Sequence, residues 1–255
     1  MRKSLVTGLL LAGALAFAAV ALGITNGGPD GNGHPEVAAV LAPHAYSDGT
    51  WESCTGTLIA AKVVLTAAHC YEGLARGAVT FDSTYDAATG TTYWGTWHVD
   101  PDYNQAQGDP HDIAVIVLDK APKGITPARL PTLDQLDSVE VNDPITAVGY
   151  GAQFVSSGPG GHEFHYADIR YVAVGSATTT TQVWLKASMN PATGDGGTCY
   201  GDSGGPNFLG AGSTETNIIG GTTITGDMYC RATNVTYRLD TKVARDFLGQ
   251  FVTLP

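Results

Sequence analysis

One short segment combines a hydroxyl nucleophile, a carboxylate and several glycines. Residues 199–206 read CYGDSGGP, with Ser203 at the centre of a Gly-Asp-Ser-Gly run. Glycines let backbone N–H groups approach a ligand without interference from a Cβ atom, and such N–H groups stabilise an oxyanion. The same composition is also typical of an ordinary surface turn. Whether Ser203 is a nucleophile or part of an ordinary turn therefore depends on whether a base and an acid for it occur elsewhere in the sequence.

The histidines restrict which base could activate Ser203. A Gly-x-Ser-x-Gly pattern also occurs at the nucleophile elbow of α/β-hydrolases, where the histidine follows the serine along the chain. All seven histidines of this chain precede Ser203: His34, His44, His69, His98, His111, His162 and His165. The order of residues therefore argues against an esterase of that architecture, and the base must come from upstream.

His69 is the strongest candidate for the base. Residues 56–70 read as a β-hairpin that ends at this histidine, between Ala68 and Cys70. Small neighbours and a crowded turn hold an imidazole in one orientation. A lone histidine is nevertheless more often a plain surface or core residue.

Asp112 is the candidate that would orient this base. It opens the apolar run 112–118, which predicts a buried strand. A buried carboxylate needs a partner, and a histidine N–H can satisfy it while the other ring nitrogen stays free to accept a proton. His111 is the rival base, but neighbours in a strand point to opposite faces, so His111 could not readily face Asp112.

Short β-type runs between turn residues indicate an all-β protein, either barrels or sandwiches. A proline-containing stretch divides the runs into two halves, and an amphipathic helix at about 240–251 ends the chain. Examples of these predicted strands are Val37–Leu41, 57–59, 63–65, 113–118, 145–148, 169–174, 182–185, 218–221 and 234–239.

The first residues predict export. Met1-Arg2-Lys3 followed by an apolar stretch to Leu22 is typical of a secretory signal peptide covering residues 1–23, with a membrane anchor as the alternative. The net charge of −11 disfavours nucleic acid and anionic membranes as partners. Four cysteines in an exported chain predict two disulfides. Three pairings are possible, and the local pairs Cys54–Cys70 and Cys199–Cys230 are favoured.

Taken together, the segments 66–70, 112–118 and 201–206 resemble the chymotrypsin/trypsin family of secreted serine endopeptidases, in the same His, Asp, Ser order. The resemblance implies two antiparallel six-stranded β-barrels with a C-terminal helix and the active site between the barrels. It places the peptidase domain at 24–255, with barrels at about 36–120 and 136–239 and a linker at about 120–135.

The resemblance also implies the role of each residue. His69 would be the base, Asp112 its orienting acid and Ser203 the nucleophile, while the N–H groups of Gly201 and Ser203 would form the oxyanion hole. No metal or other cofactor is expected. The predicted partners are protein or peptide substrates and protein inhibitors, and the mature protein would be a monomer.

The family's amino terminus implies a second pair, Ile24 with Asp202. Freed by cleavage, the α-amino group of Ile24 would insert beside Asp202 and shape the oxyanion loop. Small residues allow signal cleavage after Ala21 or after Gly23, and cleavage after Gly23 would free Ile24 directly. This departs from the usual zymogen, because the residue directly before Ile24 is Gly23 and not a basic residue.

The family sets primary specificity six residues before the nucleophile, and that residue is Gly197 here. A trypsin-like preference for arginine therefore lacks its counter-charge, unless Asp195 or Asp227 reaches the pocket. Small residues predict a shallow apolar pocket for small or medium side chains. The predicted lining is Gly197, Thr198, Thr225, Gly226 and Val235.

Two further questions concern modification and function. Asn234 begins an Asn-Val-Thr acceptor for glycosylation, which matters only in a host that glycosylates. The rival to an endopeptidase is a non-catalytic secreted binding protein on the same fold. Retention of the histidine, aspartate and serine favours the enzyme.

Overall fold

The computed structural model describes residues 24–106, 108–158, 161–164 and 166–255. The predicted signal peptide and its cleavage site lie outside these residues. Within them are fifteen strands, four short 3₁₀ helices and one α-helix. The strands are β1 Gly28–Pro29, β2 Val37–Leu41, β3 Glu52–Ala60, β4 Val63–Thr66, β5 Arg76–Thr80, β6 Tyr93–Val99, β7 Ala114–Leu118, β8 Pro144–Gly149, β9 Val155–Gly158, β10 Gly161–Phe164, β11 Tyr171–Thr180, β12 Trp184–Ser188, β13 Pro206–Leu209, β14 Ile219–Gly226 and β15 Thr233–Arg238. The 3₁₀ helices are Ala68–Cys70, Gln135–Ser138, Pro191–Thr193 and Gly212–Thr214, and the α-helix α1 is Lys242–Leu248.

The first barrel closes in the order β2-β3-β4-β7-β6-β5, with β5 paired back to β2. All five residues of β2 are buried, so the strand reads as a continuous apolar run. Alternate residues point to opposite faces. Ala38 and Val40 join a cluster confined to this barrel, whereas Val37 and Ala39 join a cluster shared with the second barrel and α1.

The second barrel closes in the order β11-β12-β15-β14-β13-β8, with β8 paired back to β11 and β1 added at β11. The all-β prediction of two six-stranded antiparallel barrels is therefore confirmed. A separate hairpin, β9 with β10, follows β8. No helix in the described part of the chain is long and apolar enough to cross a membrane.

The C-terminal helix is shorter than its sequence pattern. It begins after Thr241, whose hydroxyl accepts a hydrogen bond from the Ala244 N–H at 3.2 Å. Ala244, Phe247 and Leu248 bury one face against the shared core. The apolar spacing continues to Phe251, but residues 250 and 251 form a turn that also packs against this core.

A buried arginine fastens the two barrels together. Arg170, which immediately precedes β11, donates hydrogen bonds to the carbonyl oxygens of Val37 and Phe81 in the first barrel, at 3.0 and 3.1 Å. It also donates to the Tyr150 hydroxyl at 3.2 Å and forms an ion pair with Asp30 at 2.7 Å. Its guanidinium therefore holds the amino-terminal segment and both barrels in one arrangement.

Candidate active site

Strand pairing brings His69 to Asp112. β4 pairs with β7 so that Thr66 lies opposite Ala114, and the 3₁₀ turn after β4 then carries the histidine back to Asp112, two residues before β7. His69 Nδ1 lies 2.8 Å from Asp112 Oδ2, and the His69 backbone N–H donates to Asp112 Oδ1 at 2.9 Å. A proton on Nδ1 leaves Nε2 free to accept another one.

The rival histidine has a different partner. His111 Nδ1 lies 2.9 Å from the buried Asp109 carboxylate, whose Oδ1 also accepts the His111 backbone N–H. Asp112 pairs with His69 instead. The two adjacent residues thus belong to two separate ion pairs, although both lie before β7 and not within it.

Close backbone packing seats the Ser203 loop on the hairpin that carries His69. The Thr55 N–H donates to the Ser203 carbonyl oxygen at 2.9 Å, and the Cys70 sulfur lies 3.7 Å from that oxygen. Gly204 has φ +79°, and a Cβ there would lie only 2.1 Å from Thr66 Oγ1. Only glycine allows this approach, which brings half-buried Ser203 to the region of His69.

Two backbone donors of the loop are left free. Among the described residues, no acceptor bonds the N–H of Gly201 or of Ser203. Gly201 has φ +91°, a backbone conformation that residues with a side chain rarely adopt. These are the two N–H groups predicted for the oxyanion hole, and unpaired N–H groups are what an oxyanion requires.

Asp202 turns away from solvent between these two donors. It is fully buried, and its carboxylate accepts the N–H of Gly151 at 2.9 Å and of Cys199 at 2.8 Å. Burial raises the pKa of Asp202 to about 7 in spite of these two bonds. Within the described part of the chain, no cationic partner that would favour its charged form faces this carboxyl group.

Ile24, the predicted partner of Asp202, is buried at another place. In this uncleaved chain its nitrogen is still bonded to Gly23. It packs against Tyr171 and Ala173, and Thr25 bridges to Gly197. Within the described residues, neither a hydrogen bond nor an ion pair joins Ile24 to Asp202. The uncleaved chain thus does not contain the predicted pair.

Both disulfides are present, Cys54–Cys70 beside His69 and Cys199–Cys230 beside the Ser203 loop. His69 lies close to the two sulfurs of the first bridge, but oxidation removes the thiolates that a metal ion would need. This cluster is therefore structural, and it ties β3 to the turn that carries His69.

A cavity of about 230 Å³ opens beside Ser203. Of the predicted pocket residues, Thr198, Thr225 and Gly226 line it. Gly197 and Val235 do not. Its lining is Thr198, Cys199, Tyr200, Ser203, Thr223, Ile224, Thr225, Gly226, Asp227 and Cys230.

Met189 explains why Gly197 stays outside this cavity. It is fully buried, and its sulfur would lie 2.8 Å from a Cβ on Gly197. Val235 is held in the ladder between Lys186 and Thr225. Sequence reasoning missed Met189, because nothing in its local pattern distinguishes it from other core residues.

The two candidate counter-charges differ in position. Asp195 accepts hydroxyl hydrogen bonds from Ser176, Ser188 and Thr193 and is not part of the cavity wall. Asp227 does line the cavity, yet its carboxylate accepts backbone N–H groups of the turn 229–233 at 2.7 to 3.2 Å. Burial favours the neutral form of Asp227, but these hydrogen bonds favour the carboxylate more strongly. The pKa of Asp227 therefore lies below its ordinary value.

Two more concavities flank this centre. One, of about 550 Å³, is bounded by His69, Tyr71, Val99 and Tyr103 and continues the cleft. The larger, of about 640 Å³, is an apolar groove on the first barrel with Trp51, Trp94 and Trp97 in its walls. That groove contains none of the triad candidates, so its size does not make it the reaction site.

The chain matches the family model described as Trypsin over residues 32–248. A protein named "Trypsin" from Saccharopolyspora erythraea is 30% identical, covering 71% of this chain and 79% of that protein. "Trypsin, alkaline C" from Manduca sexta is 29% identical, covering 68% of this chain and 71% of that protein. Among solved structures, human heparin binding protein superimposes with a TM-score of 0.68 at 18% identity, covering 91% of this chain and 99% of that one.

Proposed function

Because this chain belongs to the trypsin family, we propose that it is a secreted serine endopeptidase that hydrolyses peptide bonds. The observation that carries the proposal is the His69–Asp112 pair, held against a glycine loop in which the N–H groups of Gly201 and Ser203 are free. Two disulfides agree with an oxidising compartment outside the cell. We propose that it acts as a monomer on protein or peptide substrates.

The proposed reaction proceeds through an acyl-enzyme. His69 Nε2 takes the proton of the Ser203 hydroxyl as its oxygen attacks the scissile carbonyl, and then gives that proton to the leaving amine. Asp112 holds the Nδ1 proton and stabilises the imidazolium. The developing oxyanion accepts the N–H groups of Gly201 and Ser203. Water then repeats the sequence on the acyl group.

Activation by cleavage before Ile24 is part of the proposal. The fully buried Asp202 lies between the two oxyanion donors, its pKa is raised to about 7, and no cation among the described residues pairs with it. A free α-amino group at Ile24 would supply that charge. It would have to leave the apolar contacts with Tyr171 and Ala173, so we infer a rearrangement of this segment on cleavage.

Labelling with a fluorophosphonate tests the assignment, since this reagent phosphonylates an activated serine. We expect the secreted protein to take up one label per chain and Ser203→Ala to take up none. The exposed Ser213→Ala variant serves as the matched control and should label like the parent. Label that persists in Ser203→Ala would contradict the assignment of the nucleophile.

Primary specificity is proposed to be for small or medium apolar side chains. A guanidinium in the cavity of about 230 Å³ would find Asp227 already engaged by backbone N–H groups, and burial of an unpaired charge is costly. In a series of peptide p-nitroanilides that differ only at P1, we expect kcat/KM for alanine or leucine to exceed that for arginine about tenfold or more. Asp227→Asn should leave this order unchanged. A preference for arginine in the parent that is lost in Asp227→Asn would show that the aspartate is the counter-charge.

A second candidate is a non-catalytic binding protein on this fold, favoured by the structural likeness to human heparin binding protein. Heparin is a polyanion, and a chain with net charge −11 repels such a ligand. The His69–Asp112 contact also has no evident use in a binding protein. Absence of label on Ser203 in the cleaved protein would favour this alternative.

A further inference from the structure

Glu52 is a buried acid that the proposed mechanism does not use. It opens β3 and is only 1% exposed. Neither oxygen of its carboxyl group has a hydrogen-bond partner among the described residues. A buried carboxylate without a partner is costly, so the folded protein favours the neutral acid at this position.

The surroundings of Glu52 are themselves acidic. Its carboxyl group faces the buried Asp202 and Asp168, and the phenols of Tyr166 and Tyr46 are the other titratable groups that sense its charge. Burial raises the pKa of Glu52 well above its ordinary value, and the two aspartates raise it further. The Asp168 carboxylate is occupied by the backbone N–H groups of residues 51 and 52.

The position of this acid is directly beneath the oxyanion loop. A Cβ built on Gly201 would lie 2.7 Å from Glu52 Oε2 and 2.8 Å from Oε1. The carboxyl group therefore touches the Cα of the residue whose free N–H is proposed to bind the oxyanion. Asp202, the next residue, lies against Gly151 on the same side of the loop.

We propose that Glu52 is a positioning residue of the oxyanion hole: its neutral carboxyl group supports Gly201 from below, whereas its carboxylate draws the Gly201 N–H away from the substrate. This inference rests on the proposed function. An ionised Glu52 is repelled by the ionised Asp202 and needs a donor. The unpaired N–H of Gly201 is bonded to the Cα that the Glu52 carboxyl group contacts. A glycine peptide can also rotate with little steric cost, so this N–H can serve as the donor.

Ionisation of Glu52 should weaken stabilisation of the transition state and leave binding of the substrate unchanged. The oxyanion hole binds the negative oxygen that develops during reaction, so loss of one donor lowers kcat more than it changes KM. Because the pKa of Glu52 is raised, the active neutral form dominates at lower pH and is lost as the pH rises through that raised value. We therefore expect an alkaline fall in kcat.

The experiment measures kcat and KM against pH for the cleaved parent and for Glu52→Gln, Glu52→Met and Glu72→Gln. In the parent, kcat should fall about 10²-fold on the alkaline side, the loss typical of one oxyanion donor. Glu52→Gln and Glu52→Met cannot ionise and should lack this fall, keeping only the fall that every variant shares when the α-amino group of Ile24 loses its proton. Glu72 is an exposed carboxylate of the same barrel, and its variant should follow the parent.

Two further readouts distinguish a variant that fails to fold from a variant that folds but has lost activity. If Glu52→Gln does not fold because its amide adds unpaired donors, Glu52→Met still removes the titrating group with an apolar side chain. Fluorophosphonate labelling of Ser203 in each variant reports the proposed function independently. An alkaline fall in kcat that is identical in the parent and in the folded Glu52 variants would overturn the role of Glu52 while leaving the peptidase assignment intact.

Discussion

Replacing His69 with alanine is expected to lower kcat about 10⁶-fold, as in other enzymes that lose the base of such a triad. His69 donates two hydrogen bonds to the Asp112 carboxylate, one from ring Nδ1 and one from its backbone N–H, so the residue is fixed before substrate arrives. Without it, the Ser203 hydroxyl loses the proposed acceptor of its proton. Steady-state hydrolysis of a peptide p-nitroanilide measures the loss.

The neighbouring histidine provides the matched control. His111→Ala removes an imidazole that is bonded to Asp109 and does not contact Asp112. We expect its kcat to stay within about threefold of the parent, since His111 pairs with Asp109 and not with the proposed catalytic residues. Equal losses in the two variants would mean that the His69–Asp112 geometry is not the catalytic one.

Residues with strong local patterns were predictable from the sequence. The apolar run of β7 and the Ala-Ala-His-Cys turn carry the information for Asp112 and His69 in a few neighbouring positions. The disulfide partners were also predictable, because each pair encloses a short segment around one end of the proposed site. In each case the chemistry of the residue and its sequence neighbours point to the same result.

Strands that depend on distant partners were not predicted. β5 and β6 contain Gly77 and Gly95, which weaken a strand pattern. Gly77 is needed because the ring of Trp97, across the barrel sheet, occupies the space where its Cβ would lie. Such a requirement comes from a residue twenty positions away and leaves no local signal.

The same limit applies to the interior of the site. Met189 packs against Gly197, and Glu52 packs against Gly201, but both reach these places from other segments of the chain. A glutamate beside Trp51 and Ser53 resembles an outward-facing residue of an edge strand. Only the closure of the first barrel turns its side chain inward toward the Ser203 loop.

Arg170 leads to the largest expected effect on stability. Its fully buried guanidinium donates to Asp30, to the carbonyls of Val37 and Phe81, and to Tyr150. Arg170→Met would leave the buried Asp30 carboxylate with only one of its two cationic partners, His34, and would leave the Val37 and Phe81 carbonyls without this donor. Removing one partner of a buried ion pair costs about 3–5 kcal/mol, and we expect the free energy of unfolding to fall by that amount in urea titrations at neutral pH.

Two variants locate the source of this loss. Arg231, an exposed arginine of the second barrel, should tolerate methionine with a change of about 0.5 kcal/mol or less. Burial opposes the charge on Asp30, but hydrogen bonds from His34 and Arg170 lower the pKa of Asp30 to about 2, so its carboxylate is charged at neutral pH. Asp30→Asn should therefore cost less stability in the Arg170→Met background than in the parent, because the carboxylate there has already lost one of its two cationic partners. If the double variant were less stable than Arg170→Met by the full cost of Asp30→Asn alone, the two residues would be energetically independent, and the arginine would act through its carbonyl contacts between the barrels.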